Sequence, residues 1–532
     1  MSIHSRWMER LEDLLVQGRS VDQRQLGDVE ALAGHLLAPG GMFAFLAGHR
    51  RELFPDELFA DLFGSARGRP SVPADVVATV IVLQALHGLS DREAAEAVTF
   101  DLRWKAAAGL ALEAASFHPT TLTYWRRRLA GSAKPNRIFD VVRRVVAETG
   151  VLSGKTRRAL DSTVLDDAVA TQDTVTQLIA AIRRVRRDVP DAAAVIAEVC
   201  SAHDYDDPGK PAIAWDDEQA RAALVDALVA DAHRLLGSLP ETERDARQAE
   251  ALALLALVAG QDVEWIEDPT TPIGGSWRIA RGVAEDRIVS VHDEEARHAH
   301  KTLARRQDGF KAHVAVEPDT GIVTDCQLSK ASGAGSSDAA VGLTLVAQEH
   351  EPVEVLADSA YGSGDMLAGL ADAEHTATIK PWPVRPAVPG GVTIDDFHVD
   401  EQAGTVTCPN AVTRPITRNR NAIFGGACTG CPLRARCTTS RSGRTLRLHE
   451  HDALRRVHRQ RAAAPEFQAV YRQHRPMVER TIAWLVAGGN RRLRYRGVVR
   501  NNAWLHTRVA ALNLRRLLAL GLHHRHGTWA IA

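Results

Sequence analysis

The 532-residue chain has no run approaching the roughly 18 uninterrupted apolar residues of a membrane span, so no transmembrane helix is expected. Its opening residues, Met1 to Leu15, lack the basic-then-apolar order of a signal peptide; both charge signs are spread along an amphipathic helical pattern. A cytoplasmic, nucleoid-associated location is the resulting expectation. Cysteine is scarce, with six in all, which excludes a disulfide framework for a chain of this length. Cys200 and Cys326 stand alone and are expected to be inert core thiols. Lysine is absent between Pro409 and Arg500, and acids nearly so: Glu450, Asp452, Glu466 and Glu479 face 20 arginines. A solvated face would mix Lys, Glu and Asp, whereas this block carries only the cation that forks phosphate. It points to a polyanion, nucleic acid above all. The net charge of -1 then requires the rest of the chain to be acidic. A hydrophobic content of 45% and a charged content of 25% are those of a soluble globular protein, with room for roughly two to four domains.

Hydrophobic periodicity divides the chain. Residues 1–153 read as helical: "VPADVVATVIVLQALHG" is apolar almost all round, as a central bundle helix is. Ser90 and Glu93 have the spacing of a capping box at the next helix start. "FHPTTLTYWRRRLAG" puts Pro119 in a first turn and presents Arg126, Arg127 and Arg128. Short helices ending on a basic one suit a helix-turn-helix DNA reader, and equally an ordinary bundle with a basic surface. Residues 154–165 and 286–382 read as strand, hairpin, helix, strand, helix and strand, with turn chemistry at "EPDTG" in the hairpin and helices from Ser337 to about Glu349 and from about Gly364. Between them, 166–285 reads as a helical insertion. Residues 383–447 form a cysteine-rich insert of little periodicity, and 448–532 return to helix around a basic loop. The fold class expected is α/β, a mixed sheet with a helical N-terminal domain and two inserts.

Three acids stand out by context. Asp161 lies in the strand "KTRRALDSTVL", and Asp358 at the tip of the apolar strand "VEVLAD", about 200 residues later. Glu479 sits in the helix after the cysteine region, one turn beyond Arg475. Carboxylates converging from two strands and a helix would hold two Mg²⁺ or Mn²⁺ ions, hard cations that take oxygen ligands, for in-line phosphoryl displacement. Other acids read differently. Asp166 and Asp167 stand where a helix N-cap is expected, and Asp293, Asp308 and Asp338 read as caps or turns. Glu466 lies roughly 220° around the helix from Glu479 at 100° per residue. The Gly362 and Gly364 turn after Asp358 is expected to give DNA room.

Cys408, Cys428, Cys431 and Cys437 are spaced C-x19-C-x2-C-x5-C. The pattern suits a structural tetrahedral Zn²⁺, an iron–sulfur cluster of the 4Fe–4S type, or unmetallated core thiols.

"LDSTVL", "DGFKAHVAVEPDTGIV", "VLADSAYGSGDM" and "RPMVERTIAWL…RRLRYRG", in that order, resemble the DDE transposases of bacterial insertion sequences, over roughly Ser71 to Leu520. The subgroup it resembles has "TTLTYWRRRL"-type sequence near its N-terminus and a "CxxCPLRARC" insert before the glutamate. The resemblance implies an RNase H-like core, Asp161, Asp358 and Glu479 as catalytic metal ligands, and a homodimer on DNA. It implies that Arg475, Arg480, Arg491, Arg492, Arg494 and Arg496 grip phosphates of terminal inverted repeats and target DNA. The family's tyrosine falls on Arg472, with Tyr471 one residue early, and its later lysine falls on Val486. A catalytically inactive DNA-binding descendant, or a metal-dependent nuclease without strand transfer, are the alternatives.

Overall fold

A computed structural model describes residues 17–18, 27–63, 70–207, 209–240, 243–271, 274–282, 284, 286–302, 305–333 and 335–532. The amphipathic pattern at residues 1–15 lies outside them. The N-terminal region packs five principal helices: α1 Met42–Leu53, α2 Ala74–His87, α3 Asp91–Phe100, α4 Thr120–Ala130 and α5 Arg137–Glu148. Helix α2 is buried from Ala74 through Ala85, as its all-round apolar sequence requires. It ends at Gly88, whose φ of 69° is the left-handed stop that glycine tolerates. A Cβ there would lie 2.1 Å from the Gly488 carbonyl oxygen, so the C-terminal loop can pass only over a glycine. Helix α3 opens with the capping box: Glu93 N donates to Ser90 Oγ at 3.2 Å, and Ser90 N to Glu93 Oε2 at 2.7 Å. Helix α4 turns Leu122, Trp125 and Leu129 inward, a spacing that leaves Arg127 and Arg128 outside.

The central sheet comprises β1 Arg157–Asp166, β2 Arg297–Thr302, β3 Arg305–Val316, β4 Val323–Lys330, β5 Glu354–Ala357 and β6 Thr376–Ile379. Strand β3 runs antiparallel to β1 on one edge and to β2 and β4 on the other; β5 and β6 continue parallel on the far side of β1. Four antiparallel strands and two parallel ones form a six-stranded mixed α/β sheet, the class expected. Helices α6 Asp338–Val346 and α7 Gly364–Asp372 cover one face, where Leu160, Val355 and Ala357 share a core with Val341 and Leu367. Helices α8 Pro465–Val486 and α9 Val498–Ala519 cover the other, where Ala159, Leu165 and Leu356 pack with Val478 and Val509. Pro476 lies within α8 without ending it.

The insertion differs from the all-helical expectation. Helices Thr174–Asp188, Ala192–Val199, Glu218–Ser238 and Ala246–Gln261 build their own core, but a hairpin, Val263–Glu267 paired with Gly275–Ile279, closes it. Trp265 sits directly opposite Trp277 there, a cross-strand aromatic pair that overrides the helical run before it. The cysteine-rich segment holds a three-stranded and a two-stranded sheet around Phe397, Val406, Phe424 and Leu446. A second hairpin, Leu522–Arg525 with Thr528–Ile531, follows α9.

Candidate active site

Strand register brings the first two acids together. Arg157, Arg158 and Ala159 of β1 pair in parallel with Glu354, Val355 and Leu356 of β5. Two residues beyond the last pair stand Asp161 and Asp358, level on neighbouring strands that run about 4.8 Å apart. Both share the parity of Ala159 and Leu356, whose side chains pack on the α8 face. The apolar strand therefore delivers Asp358 to the place where its partner and the Glu479 helix meet. Asp358 Oδ1 also accepts the Ala360 amide at 2.9 Å, fixing its carboxylate at the strand tip.

On α8, Tyr471, Arg475 and Glu479 follow at intervals of four and form one stripe. Arg475 is buried and its Nη2 meets Asp161 Oδ2 at 3.1 Å. Burial pushes the Asp161 carboxyl above the usual carboxylate range, and Asp358 adds to the push against the Arg475 charge. Burial opposes the Arg475 charge too, but Asp161, Tyr471 and Asp358 outweigh it and raise its pKa. Burial likewise raises Tyr471, with Arg475 opposing and Asp358 and Glu479 adding. Tyr471 thus joins the site that its one-residue offset had left in doubt; the helix carries it four residues from Arg475. Glu479 is exposed at the open end of the stripe. Among the described residues the three acids do not lie within 4.8 Å of one another. Their chemistry still suits a divalent cation. All are hard oxygen donors, and burial, with Asp358 adding to it, raises the Asp161 carboxyl, a cost of ionisation that a bound cation would relieve.

Behind the acids lies a polar network missed in the sequence. Asp338 opens α6, but its carboxylate takes Ser162 Oγ at 2.6 Å and Lys311 Nζ at 3.2 Å, with His313 Nδ1 at 3.6 Å. The helix cap is Ser337 instead, bound by Ala340 N. Ser162 follows Asp161 and faces the opposite side, so this network anchors the strand from beneath. Asp166 and Asp167 are not N-caps either; Asp173 caps the helix, accepting Thr176 N at 2.8 Å. Asp166 ends β1 and takes Gln307 Nε2 at 2.9 Å. Asp167 is buried beside Asp293, and burial together with that neighbour raises it to about 6. Asp308 binds the side chains of Thr171 and His298. The turn glycines make room for the chain itself, since a Cβ on Gly362 would lie 2.9 Å from Trp382 and one on Gly364 2.5 Å from His449.

The arginines separate into two kinds. Arg475 is enclosed against Asp161 and turned away from solvent, so it is not a phosphate grip. Arg126 is half-buried, bound to Asp91 and Gln84 and stacked on Tyr495. Arg491 extends the sheet edge: its carbonyl accepts Asp166 N, and its guanidinium donates to Val164 O. Arg127, Arg128, Arg480, Arg492, Arg494 and Arg496 are exposed. Arg492 and Arg494 also reach the Ala168 and Gly88 carbonyls, tying the basic loop to the sheet and to the end of α2.

Cys408, Cys428, Cys431 and Cys437 line one small apolar cavity with Phe397 and Phe424. Among the described residues no three of the sulfurs lie within 4.8 Å of one another, wider than the roughly 3.8 Å of a tetrahedral zinc–thiolate set. The structure therefore shows a shared thiol-lined core and not a closed metal site. Cys200 and Cys326 have thiol pKa values raised by burial, to about 11 for Cys200, in keeping with inert core positions.

Residues 407–518, which include Glu479, match the family model described as "Transposase DDE domain". That part of the chain is similar to a transposase DDE domain. Residues 48–128, spanning α2, α3 and most of α4, match a second, described as "Transposase domain (DUF772)". The DDE domain is the unit of a phosphoryl-transfer enzyme family acting in DNA transposition. The match leaves Asp161 and Asp358 outside its bounds; Asp161 meets it through the ion pair with Arg475. No curated protein and no solved structure matches the chain. Among the described residues no single helix is long and apolar enough to cross a membrane.

Proposed function

We propose that the chain binds the inverted-repeat ends of an insertion sequence and catalyses phosphodiester hydrolysis followed by strand transfer. The observation that carries this reading is the register that sets Asp161 and Asp358 level on adjacent parallel strands, facing the helix of Glu479. These three carboxylates would hold Mg²⁺ or Mn²⁺, which when bound supplies activation of the attacking oxygen and stabilisation of the leaving one. Arg475 keeps positive charge against Asp161 and so favours its ionised, ligating form. Tyr471 orients the Arg475 fork from one turn away. Arg480, Arg492, Arg494 and Arg496, exposed around the site, position the phosphate backbone, which carries no sequence information. Reading of the end sequence falls to the outward face of α4, through Arg127 and Arg128, in a homodimer that holds both ends.

The cysteine knuckle has the donor set of a structural Zn²⁺ or iron–sulfur group but needs its thiols drawn inward to close on one. Its place between β6 and α8 makes bracing, not chemistry, its role in this reading.

The test is metal-dependent cleavage of a duplex bearing the element's own end, wild type against Asp358→Ala. Cleavage should vanish in the variant while DNA binding survives. Cleavage that persists places the active site elsewhere, and wild-type cleavage without joining of a pre-nicked end would make the protein a nuclease.

A further inference from the structure

The closing hairpin brings a third set of potential ligands together, on residues that neither the carboxylate site nor the cysteine cavity uses. His49 and Glu52 lie three residues apart on α1 and therefore share a face. His524 comes from the hairpin, directly opposite Trp529. One ligand atom from each of His49, Glu52 and His524 lies within 4.8 Å of the other two, and among the described residues this is the group of three or more that does so. The rings are held from behind. Trp529 packs on His524 at 4.4 Å and on His49 at 5.6 Å between centroids, and Phe45 packs on both His49 and Trp529. His49 Nδ1 is shielded from solvent and has no hydrogen-bond partner. A buried ring nitrogen left so is destabilising, and a partner for it would offset that.

We infer that His49, Glu52 and His524 form a binding site for a divalent transition-metal ion, Zn²⁺ or a neighbour in its series, that clips the closing hairpin to α1. Two imidazoles and a carboxylate are a donor set for Zn²⁺, Ni²⁺ or Co²⁺ and a poor one for Mg²⁺, which prefers oxygens alone. Ligand atoms around a tetrahedral ion stand about 3.3 Å apart, and the exposed Glu52 stem supplies the needed closure. The fourth position stays open to water. Such a clip joins two segments more than 470 residues apart in the chain, so it acts by tying the chain's end to the N-terminal helices.

The experiment is equilibrium dialysis of the full-length, chelator-stripped chain against Zn²⁺ with Mg²⁺ in excess to fill the all-oxygen site. Wild type is compared with His49→Ala and His524→Ala, and metal content is read by mass spectrometry. The cysteines contribute equally to all three proteins, so wild type should hold about one Zn²⁺ more than either variant. His524→Cys, which restores a ligand, should recover it. Zn²⁺ should also slow hydrogen exchange of the α1 and closing-hairpin amides in wild type more than in His524→Ala. Equal Zn²⁺ content in wild type and His524→Ala overturns the inference. His524 sits on a surface hairpin, so that variant remains informative even where His49→Ala fails to fold.

Discussion

The Asp161–Arg475 pair should couple strongly, and a double-mutant cycle will measure it. At 3.1 Å, with side chains 16% and 6% exposed, the two charges attract by about 5 kcal/mol at an effective dielectric constant of 20. Desolvation of both ions offsets a large part of that. Asp161→Asn leaves the guanidinium buried without its counter-charge, and Arg475 Nε and Nη1 have no other partner to fall back on. That variant should lose about 3 kcal/mol. Arg475→Met should lose less, about 1–2 kcal/mol, because Asp161, already raised by burial, can take up a proton instead. The double variant removes both ions, so the coupling energy should come to about 2 kcal/mol. A chain with several cores will not unfold in one step, so a global melt is the wrong assay. Hydrogen exchange of the β1 and α8 amides reads the opening of this unit alone. In chelator the cycle should show the full coupling. With Mg²⁺, wild-type β1 should gain protection and Asp161→Asn should not. Costs that add to within about 0.5 kcal/mol would show that the two side chains do not interact, and the account of Arg475 as the holder of Asp161 would fail.

Asp167 gives a pH signature. Its carboxyl is raised from 3.8 to about 6, so the folded state binds that proton more tightly than the unfolded one, and stability falls as pH rises between those values. Asp167→Asn cannot ionise and should therefore stabilise the sheet by about 1–2 kcal/mol above pH 6, with little effect below about pH 4, as read by hydrogen exchange of the β1 amides across that range. The exposed arginines give a salt signature: Arg492→Ala, Arg494→Ala and Arg496→Ala should each reduce the slope of log affinity against log salt by about 1, while Arg475→Met should leave the slope unchanged. A slope lost on Arg475→Met but kept on Arg494→Ala would reverse the assignment of which arginines touch phosphate.

Much of the core was legible because its signals are local. Alternation marked the hairpin of β3 and β4, the apolar run marked α2, and Ser90 with Glu93 marked the start of α3. The three acids were found as residues that break a pattern: a carboxylate at an apolar strand tip, another inside a β-rich strand, a third on a basic helix. What was not legible depended on partners remote in sequence. Asp338 sits at a helix start and looks like a cap, yet its carboxylate belongs to Ser162 and Lys311. Asp167 looks like a cap and is half of a carboxyl pair with Asp293. Tyr471 stands one residue earlier than the family spacing, yet at four residues from Arg475 it still shares that residue's helix face. His524 offered no signal at all, since its ligand partners lie at the other end of the protein.

Arg508 shows why a count of arginines cannot be read directly as a count of phosphate contacts. It is fully enclosed, and burial lowers its pKa to about 10, yet its five donors are all engaged by carbonyls. It donates to Ala85 O and Leu86 O at the end of α2, and to Leu485 O, Trp484 O and Ala487 O at the end of α8. Each of those helices points the negative end of its dipole at the same guanidinium. The carbonyls have no intrahelical partners, so a single cation completes both termini at once. The consequence is mechanical. Helix α2 belongs to the region that matches a transposase domain (DUF772), and α8 carries Glu479. Any rotation of α2 away from α8 must strip the caps from one of them, and the Gly88–Gly488 contact blocks the opposite movement. Helix α4, which carries Arg127 and Arg128 and is tied to α2 through Arg126 and Gln84, is thereby held in fixed register with the helix that carries the third acid, so that under the proposed function DNA positioned by one is positioned for the other.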